Sequence, residues 1–217
     1  MNSVTPVTSL SETIKEMLSD QNGNIKNPES LSTEDFADIM EALKTIIRRS
    51  KGMLNFVDDY RKLTQLPAPR FEVLSIDELF ADVVKLMERQ AAQQDIKLEI
   101  INENNRLGLK ADKTLVEQAL INLIGNAIHN ADPDKESVIR LNAKMKDECL
   151  ILSVFDNGKG IENDLLSSIF IPFFSTRKNG TGIGLSLTKN IMQLHQGSIS
   201  VQSIPEKETT FKLSFPA

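Results

Sequence analysis

LTQLPAPRF, residues 63–71, is the hinge on which the fold reading turns. Two prolines within three residues remove backbone donors and fix φ, so the stretch reads as a short, stiff linker. Before it the apolar residues recur at helical spacing. After it they alternate with the period of strands, interleaved with a few helices.

Upstream of the linker, Phe36, Met40, Leu43, Ile47, Ser50, Leu54 and Val57 alternate steps of four and three, the seam of a coiled coil or helical bundle. Ile39, Ile46, Met53 and Tyr60 widen that stripe on one side, which suits a bundle better than a two-stranded coil. Ser32 followed by Asp35 resembles a capping box and predicts a helix start near Thr33. An earlier helix is marked by Val4, Val7, Leu10, Ile14 and Met17/Leu18, with Pro6 inside the pattern as a source of a bend. DQNGNIKNPES joins the two and is rich in turn residues. Residues 1–66 therefore read as a helical hairpin. A lone hairpin cannot bury so wide a stripe, whereas two paired hairpins form a four-helix bundle, so a homodimer is expected.

Downstream, a strand is expected at Phe71–Leu74, then a helix over SIDELFADVVKLMERQAA, strands at Ile96–Ile101 and Arg106–Leu109, and a helix from Asp112 to Ala131. Strands at Val138–Met145 and Cys149–Phe155 flank the polar turn KDE. A helix over Ile183–His195 and strands at Ser198–Ser203 and Thr210–Phe215 complete residues 71–217. The expected class is α+β: a helical hairpin followed by an α/β sandwich, its sheet covered by helices on one face.

Three segments of the second part carry chemistry. EQALINLIGNAIHNA, residues 117–131, is apolar around most of its circumference, yet Asn122, Asn126 and His129 cut one polar stripe at steps of four and three. A solvent-facing stripe usually carries Lys or Glu. Amides in register suit an oxygen-bound cation or phosphates. In FDNGKGI, Asp156 stands at the tip of an apolar strand with Gly158 and Gly160 behind it, where a carboxylate accepts from a ligand amine. In NGTGIGLSLTKNIMQLH, Gly180, Gly182 and Gly184 open a helix whose bare N–H groups can hold phosphates. The segment is neither a P-loop nor the dinucleotide fingerprint, whose third glycine would fall on Leu185. IFIPFFSTRKN before it has the layout of a lid, with Arg177 and Lys178 placed to approach phosphates.

INLIGNAIHNA, DNGKGI, IFIPFFSTR and GTGIGLSL, in this order, resemble the N, G1, F and G2 boxes of the ATP-binding domain of bacterial sensor histidine kinases. That superfamily also holds DNA gyrase, MutL and the ninety-kilodalton heat-shock chaperone. The resemblance covers Phe71 to Ala217, and the preceding hairpin resembles the dimerisation and histidine-phosphotransfer domain of the same kinases, NtrY/NtrB-like in its opening residues. It implies ATP and Mg²⁺ as cofactors, with Asn126 as the metal ligand and Asn122 beside it. It places His129 where many relatives carry a phosphate-contacting lysine. Asp156 would accept from the adenine amine, with Gly158 and Gly160 shaping the pocket and Thr210 near the base. Arg177, Lys178, Gly180, Thr181, Gly182, Gly184 and Leu185 would form the lid and phosphate loop, and His195 is structural. NSVTPV aligns with the end of the acceptor-histidine motif, which puts Asn2 in a phosphatase-type position and the acceptor just upstream of Met1. On this reading the chain does not autophosphorylate. The implied partners are a second copy, through the hairpin, and a response-regulator receiver domain. An acceptor-less, ATP-binding scaffold that engages a partner through its bundle is the alternative. A gyrase-type ATPase is disfavoured, because its catalytic glutamate would stand where Asn122 does.

Composition agrees. The 217 residues carry net charge −5 and are 40% hydrophobic and 25% charged, which gives no signature of nucleic-acid binding. The single cysteine, Cys149, excludes an internal disulfide and fits a reducing, cytoplasmic setting. No segment reads as membrane-spanning, so any membrane attachment would come from segments outside this chain.

Overall fold

The structure is a computed structural model that describes residues 4–20, 22–101, 107–177 and 180–216. It falls into two compact units, Met1–Arg61 and Lys62–Ala217.

The first unit is built from α1 (Val4–Leu18) and α2 (Thr33–Thr64). Pro6 is the third residue of α1, in the first turn, where backbone N–H groups have no intrahelical partner to lose. Residues 1–3, Asn2 among them, lie outside the described residues. The turn between the helices is organised by Asp20, whose carboxylate accepts from the N–H groups of Asn22 and Asn24 at 2.9 Å each. Ser32 and Asp35 form the expected capping box: Asp35 N–H donates to Ser32 Oγ (3.0 Å) and Ser32 N–H to Asp35 Oδ2 (2.8 Å). Of the flanking set on α2, Ile39 is buried and Ile46 and Met53 are half-buried, while Tyr60 is exposed. The seam residues Phe36, Met40, Leu43, Ile47, Leu54 and Val57 are exposed.

The second unit is a five-stranded sheet, order β2-β4-β5-β7-β6, plus a two-stranded sheet, β1-β3. The small sheet pairs β1 (Glu72–Ser75) with β3 (Gly108–Ala111). The large one consists of β2 (Ile96–Ile100), β4 (Ser137–Lys146), β5 (Cys149–Asp156), β6 (Ser198–Ile204) and β7 (Glu208–Pro216). β2 runs parallel to β4, and the other neighbours are antiparallel. Three helices supply the apolar layer: α3 (Ile76–Ala92), α4 (Lys113–Asn130) and α5 (Gly184–Leu194). Burial alternates along the central strands. Leu150, Leu152 and Val154 of β5 and Phe211, Leu213 and Phe215 of β7 are buried, while the residues between them are partly exposed. One face of the sheet therefore holds the core, as an α/β sandwich requires.

The β4–β5 turn is tighter than KDE suggests: Lys146 pairs with Cys149, leaving Asp147 and Glu148, both at positive φ, as a two-residue loop. β3 lies two residues later than expected, because its pairing with β1 buries Leu109 and Ala111 and exposes Gly108 and Lys110. Lys110 interrupts an apolar run but belongs to the strand's alternation. Among the described residues no helix is long and apolar enough to cross a membrane.

One buried node orders the two helices that carry the candidate site. Asp112 caps α4 by accepting from Leu115 N–H (3.0 Å), and also accepts from Arg70 N–H of the linker (2.8 Å). Burial opposes the Asp112 charge, but these backbone donors prevail and hold its carboxyl below the usual range. The Asp112 N–H donates to His195 Nε2 at 3.0 Å, across 83 residues of sequence. His195 Nδ1 faces the Ile191 carbonyl at 2.8 Å, which can only accept, so Nδ1 carries the ring proton. The ring packs edge-on against Phe71 and Phe215. Replacing His195 with Ala strands a buried N–H and opens a cavity. Urea denaturation should show a loss of about 3 kcal/mol, and a loss below about 0.5 kcal/mol would remove His195 from the framework.

Candidate functional site

The apolar side of α4 is buried as its sequence predicts: Leu115, Val116, Ala119, Leu120, Leu123, Ile124, Ala127 and Ile128 all lie in the core. Asn122, Asn126 and His129 fall on the other side. Asn122 is half-buried and fastens α4 to the start of α5. Its Nδ2 donates to Gly184 O (3.2 Å) and Thr188 Oγ1 (3.5 Å), and its Oδ1 accepts from Gln118 (3.3 Å). The half-buried amide of Asn126 has no hydrogen-bond partner among the described residues, and none of their buried side-chain polar atoms is left unsatisfied. It is therefore open to a ligand. His129 is exposed and turns Nδ1 back onto the Gly125 carbonyl of its own helix, which leaves Nε2 outward.

Asp156 closes β5 at 4% exposure. Burial drives its carboxyl up to about 6; the Gly158 N–H, donating at 3.1 Å, opposes the shift, and the nearby Glu208 charge adds to it. The loop that follows is fastened on three sides. Lys159 N–H donates to Asn130 O (2.9 Å), Ile161 N–H to Ser203 Oγ (2.9 Å), and Glu206 N–H to Lys159 O (2.6 Å). Gly160 has φ +67°, and a Cβ there would strike the Ile204 carbonyl.

Strand register corrects one expected contact. Thr209, not Thr210, is the partner of Asp156, and it is fully buried on the same face of the sheet. Thr210 pairs with Phe155 and points to the opposite face. Period-two alternation with Phe211, Leu213 and Phe215 was the signal available for Thr209.

The lid segment turns at Gly182, φ +68°, whose carbonyl accepts from Phe173 N–H at 3.0 Å. Arg177 is half-buried, and burial lowers the pKa of its guanidinium. It donates to Asn126 O (3.2 Å) and Asn130 Oδ1 (3.3 Å). Among the described residues it forms no ion pair, so its charge remains available to an anion. Lys178 lies outside the described residues. Gly180 packs on the Ser175 side chain, Thr181 is exposed, and Leu185 is half-buried against the core. α5 begins beside Asn122 with no side-chain cap, so its first N–H groups are open donors.

Two clusters result: Asn122, Asn126, Arg177 and the α5 N-terminus on one side, Asp156, Thr209 and the Gly158–Gly160 loop on the other. Asn130 joins them, since its side chain accepts from Arg177 and its carbonyl from Lys159. It stands four residues after Asn126 and was missed because it ends the helix. The described residues contain no cluster of three acidic, His or Cys side chains fit to hold a metal alone. A single free amide suits Mg²⁺ only when phosphates and water complete the shell. The donor set fits a metal arriving with a nucleotide.

Residues 111–217 match the family of histidine kinase-, DNA gyrase B- and HSP90-like ATPases. Sporulation kinase A of Bacillus subtilis (strain 168) is 37% identical over 145 residues, covering 67% of this chain and 24% of its own length. The nucleotide-free catalytic domain of the histidine kinase ThkA aligns with TM-score 0.62 and 30% identity, covering 68% of this chain and 95% of that domain. A complex of ThkA with the response regulator protein TrrA matches 99% of this chain and 58% of its own, at TM-score 0.66 and 24% identity, a likeness of fold. The chain spans less than half the length of the curated relatives it matches.

The raised pKa of Asp156 sets a testable sign. The folded state holds this proton more tightly than the unfolded state. Its favourable contribution is therefore complete below the ordinary aspartate value of 3.8 and is lost as pH rises through about 6. Asp156→Asn should stabilise the nucleotide-free chain at pH 7.5 by up to about 3 kcal/mol and flatten its pH–stability curve between pH 4 and 6. Thermal unfolding across pH checks this, and a destabilised variant at pH 7.5 would contradict it.

Proposed function

Since the chain belongs to the sensor histidine kinases, we propose that it is the dimerising, ATP-binding core of a two-component kinase, residues 1–66 forming the hairpin and 71–217 the nucleotide domain. The observation that carries the ATP assignment is Asp156, a buried carboxylate with no cation beside it among the described residues, joined through Asn130 to an Arg177 with no ion-pair partner and an Asn126 amide with no hydrogen-bond partner among them. An amine-bearing base satisfies the carboxylate, and a triphosphate takes up the cation and the open α5 donors.

On this reading Asp156 accepts from the adenine amine, and the Gly158–Gly160 loop lets the backbone pass close to the ring. Asn126 holds Mg²⁺ against the phosphates, with Asn122 fixing α4 against α5 behind it. The metal supplies charge neutralisation, the dominant requirement in phosphoryl transfer. Arg177 moves from the Asn126 and Asn130 oxygens to phosphate, and Lys178 and the Gly180–Gly184 turn cover it. The phosphoryl acceptor is a histidine not contained in these residues. His195 is buried with both ring nitrogens in use, and His129 belongs to the nucleotide helix. From the acceptor histidine the group passes to a response-regulator aspartate, as the ThkA complex with TrrA suggests by analogy. The exposed seam of α2 is the surface that a second hairpin would bury. The cytoplasm supplies the ATP this requires.

A second reading, an ATP-binding dimeric scaffold, is favoured by one observation: the hairpin contains no histidine.

Calorimetry should show ATP–Mg²⁺ and ADP–Mg²⁺ binding at millimolar nucleotide or below, with the chain unlabelled after incubation with γ-labelled ATP. Asn126→Asp adds a negative charge beside the already anionic phosphates and should abolish binding, while sedimentation still reports a dimer. Absence of nucleotide binding in the unaltered chain would refute the kinase reading, and a stable phosphohistidine on it would refute the acceptor assignment.

A further inference from the structure

Ser203 of β6 is the register partner of Thr209 on β7, and Thr209 is in turn the register partner of Asp156. Three contacts converge on the Ser203 hydroxyl. Ile161 N–H donates to Oγ at 2.9 Å, the Glu208 carbonyl lies at 2.8 Å, and Thr209 Oγ1 lies at 3.0 Å. A serine hydroxyl has one proton to give. The Glu208 carbonyl can only accept, so it takes that proton. The Thr209 contact must then be made with the proton of Thr209, directed at Ser203 Oγ. What Thr209 offers elsewhere is its lone pairs.

Asp156, once ionised, is also acceptor-only. It shares the buried face with Thr209, and directly opposed residues on neighbouring antiparallel strands have Cβ atoms about 5 Å apart. The base end of the pocket thus presents two adjacent acceptors whose proton arrangement is fixed from behind by Ser203.

We propose that Ser203 is a positioning residue for base selection: by holding the Thr209 proton, it makes the site favour a purine with an exocyclic 6-amine over one with a 6-carbonyl. The inference rests on the reading of Asp156 as the adenine contact. An amine donates to these acceptors, directly or through one water. A carbonyl at the same place faces oxygen lone pairs. Without the Ser203 hydroxyl, Thr209 is free to rotate and donate, and the penalty against a carbonyl falls.

The test compares ATP with inosine triphosphate, which carries a carbonyl in place of the amine and a proton on the neighbouring N1, by calorimetry on the full chain. Ser203→Ala should cut the ATP-over-ITP preference about tenfold, the scale of one hydrogen bond, while Ser203→Thr, which keeps the proton, restores it. Thr209→Val should lower the preference similarly, and combining it with Ser203→Ala should produce no further change. Ser203 also holds the loop at Ile161. If that were its whole role, Ser203→Ala would weaken both nucleotides equally, and an unchanged ratio overturns the proposal. Additive losses in the double variant overturn it as well. If the unaltered chain binds neither nucleotide, the ATP reading fails first, visibly in the wild type, and the inference falls with it.

Discussion

Helix α4 must satisfy two demands that conflict, and the rest of the nucleotide unit is arranged around the compromise. Its apolar side packs against the sheet and the neighbouring helices, and its eight apolar residues there are all buried. Its other side carries asparagines, which are poor helix formers and costly to cover unless bonded. Asn122 is bonded, to the first turn of α5; the Asn126 amide has no partner among the described residues. Asp112 and His195 fix the start of this helix against the end of α5, and Asn122 at its middle holds the start of α5, so α5 is tied to α4 at both of its ends. A helix held so firmly can present one unsatisfied amide without losing its place.

Asp156 shows the same exchange of stability for readiness. The strand register forces its side chain to the covered face, where burial raises the carboxyl to about 6 and, among the described residues, Gly158 N–H is the one donor that answers the charge. Near neutral pH the site therefore holds a carboxylate that the protein itself does not neutralise. Arg177 is the complementary case, a half-buried cation that rests on the oxygens of Asn126 and Asn130. The two form no ion pair with each other; Asn130 contacts Arg177 with its side chain and the loop after Asp156 with its carbonyl. Each is left to a different end of one ligand.

Much of this was legible in the sequence because it rests on local period. The polar stripe of α4, the capping box at Ser32, and the strand ending in Asp156 each follow from spacing within one element. The elements that misled are those decided by pairing. The resemblance points to Thr210, whereas the β5–β7 register decides which threonine shares a face with Asp156, and that is Thr209. β3 was placed early because Lys110 breaks an apolar run while keeping the alternation that pairing with β1 imposes. His195 was rightly read as structural, but its bond to Asp112 spans too much sequence for any local pattern to show. Asn130 looked like a helix end and is the link between two clusters. The seam of α2 was read correctly as apolar and remains exposed, since a single hairpin offers nothing to cover it.

The central claim is that Asp156 is an acceptor held ready for an adenine amine, and its own titration reports on this directly. Carbon-13 NMR of the Asp156 carboxyl should give a pKa of about 6 in the free chain. Saturation with ADP–Mg²⁺ should move it down by at least about one unit, because an amine donating to the carboxylate favours the ionised form. A carboxyl whose titration is unchanged by saturating nucleotide would contradict the account.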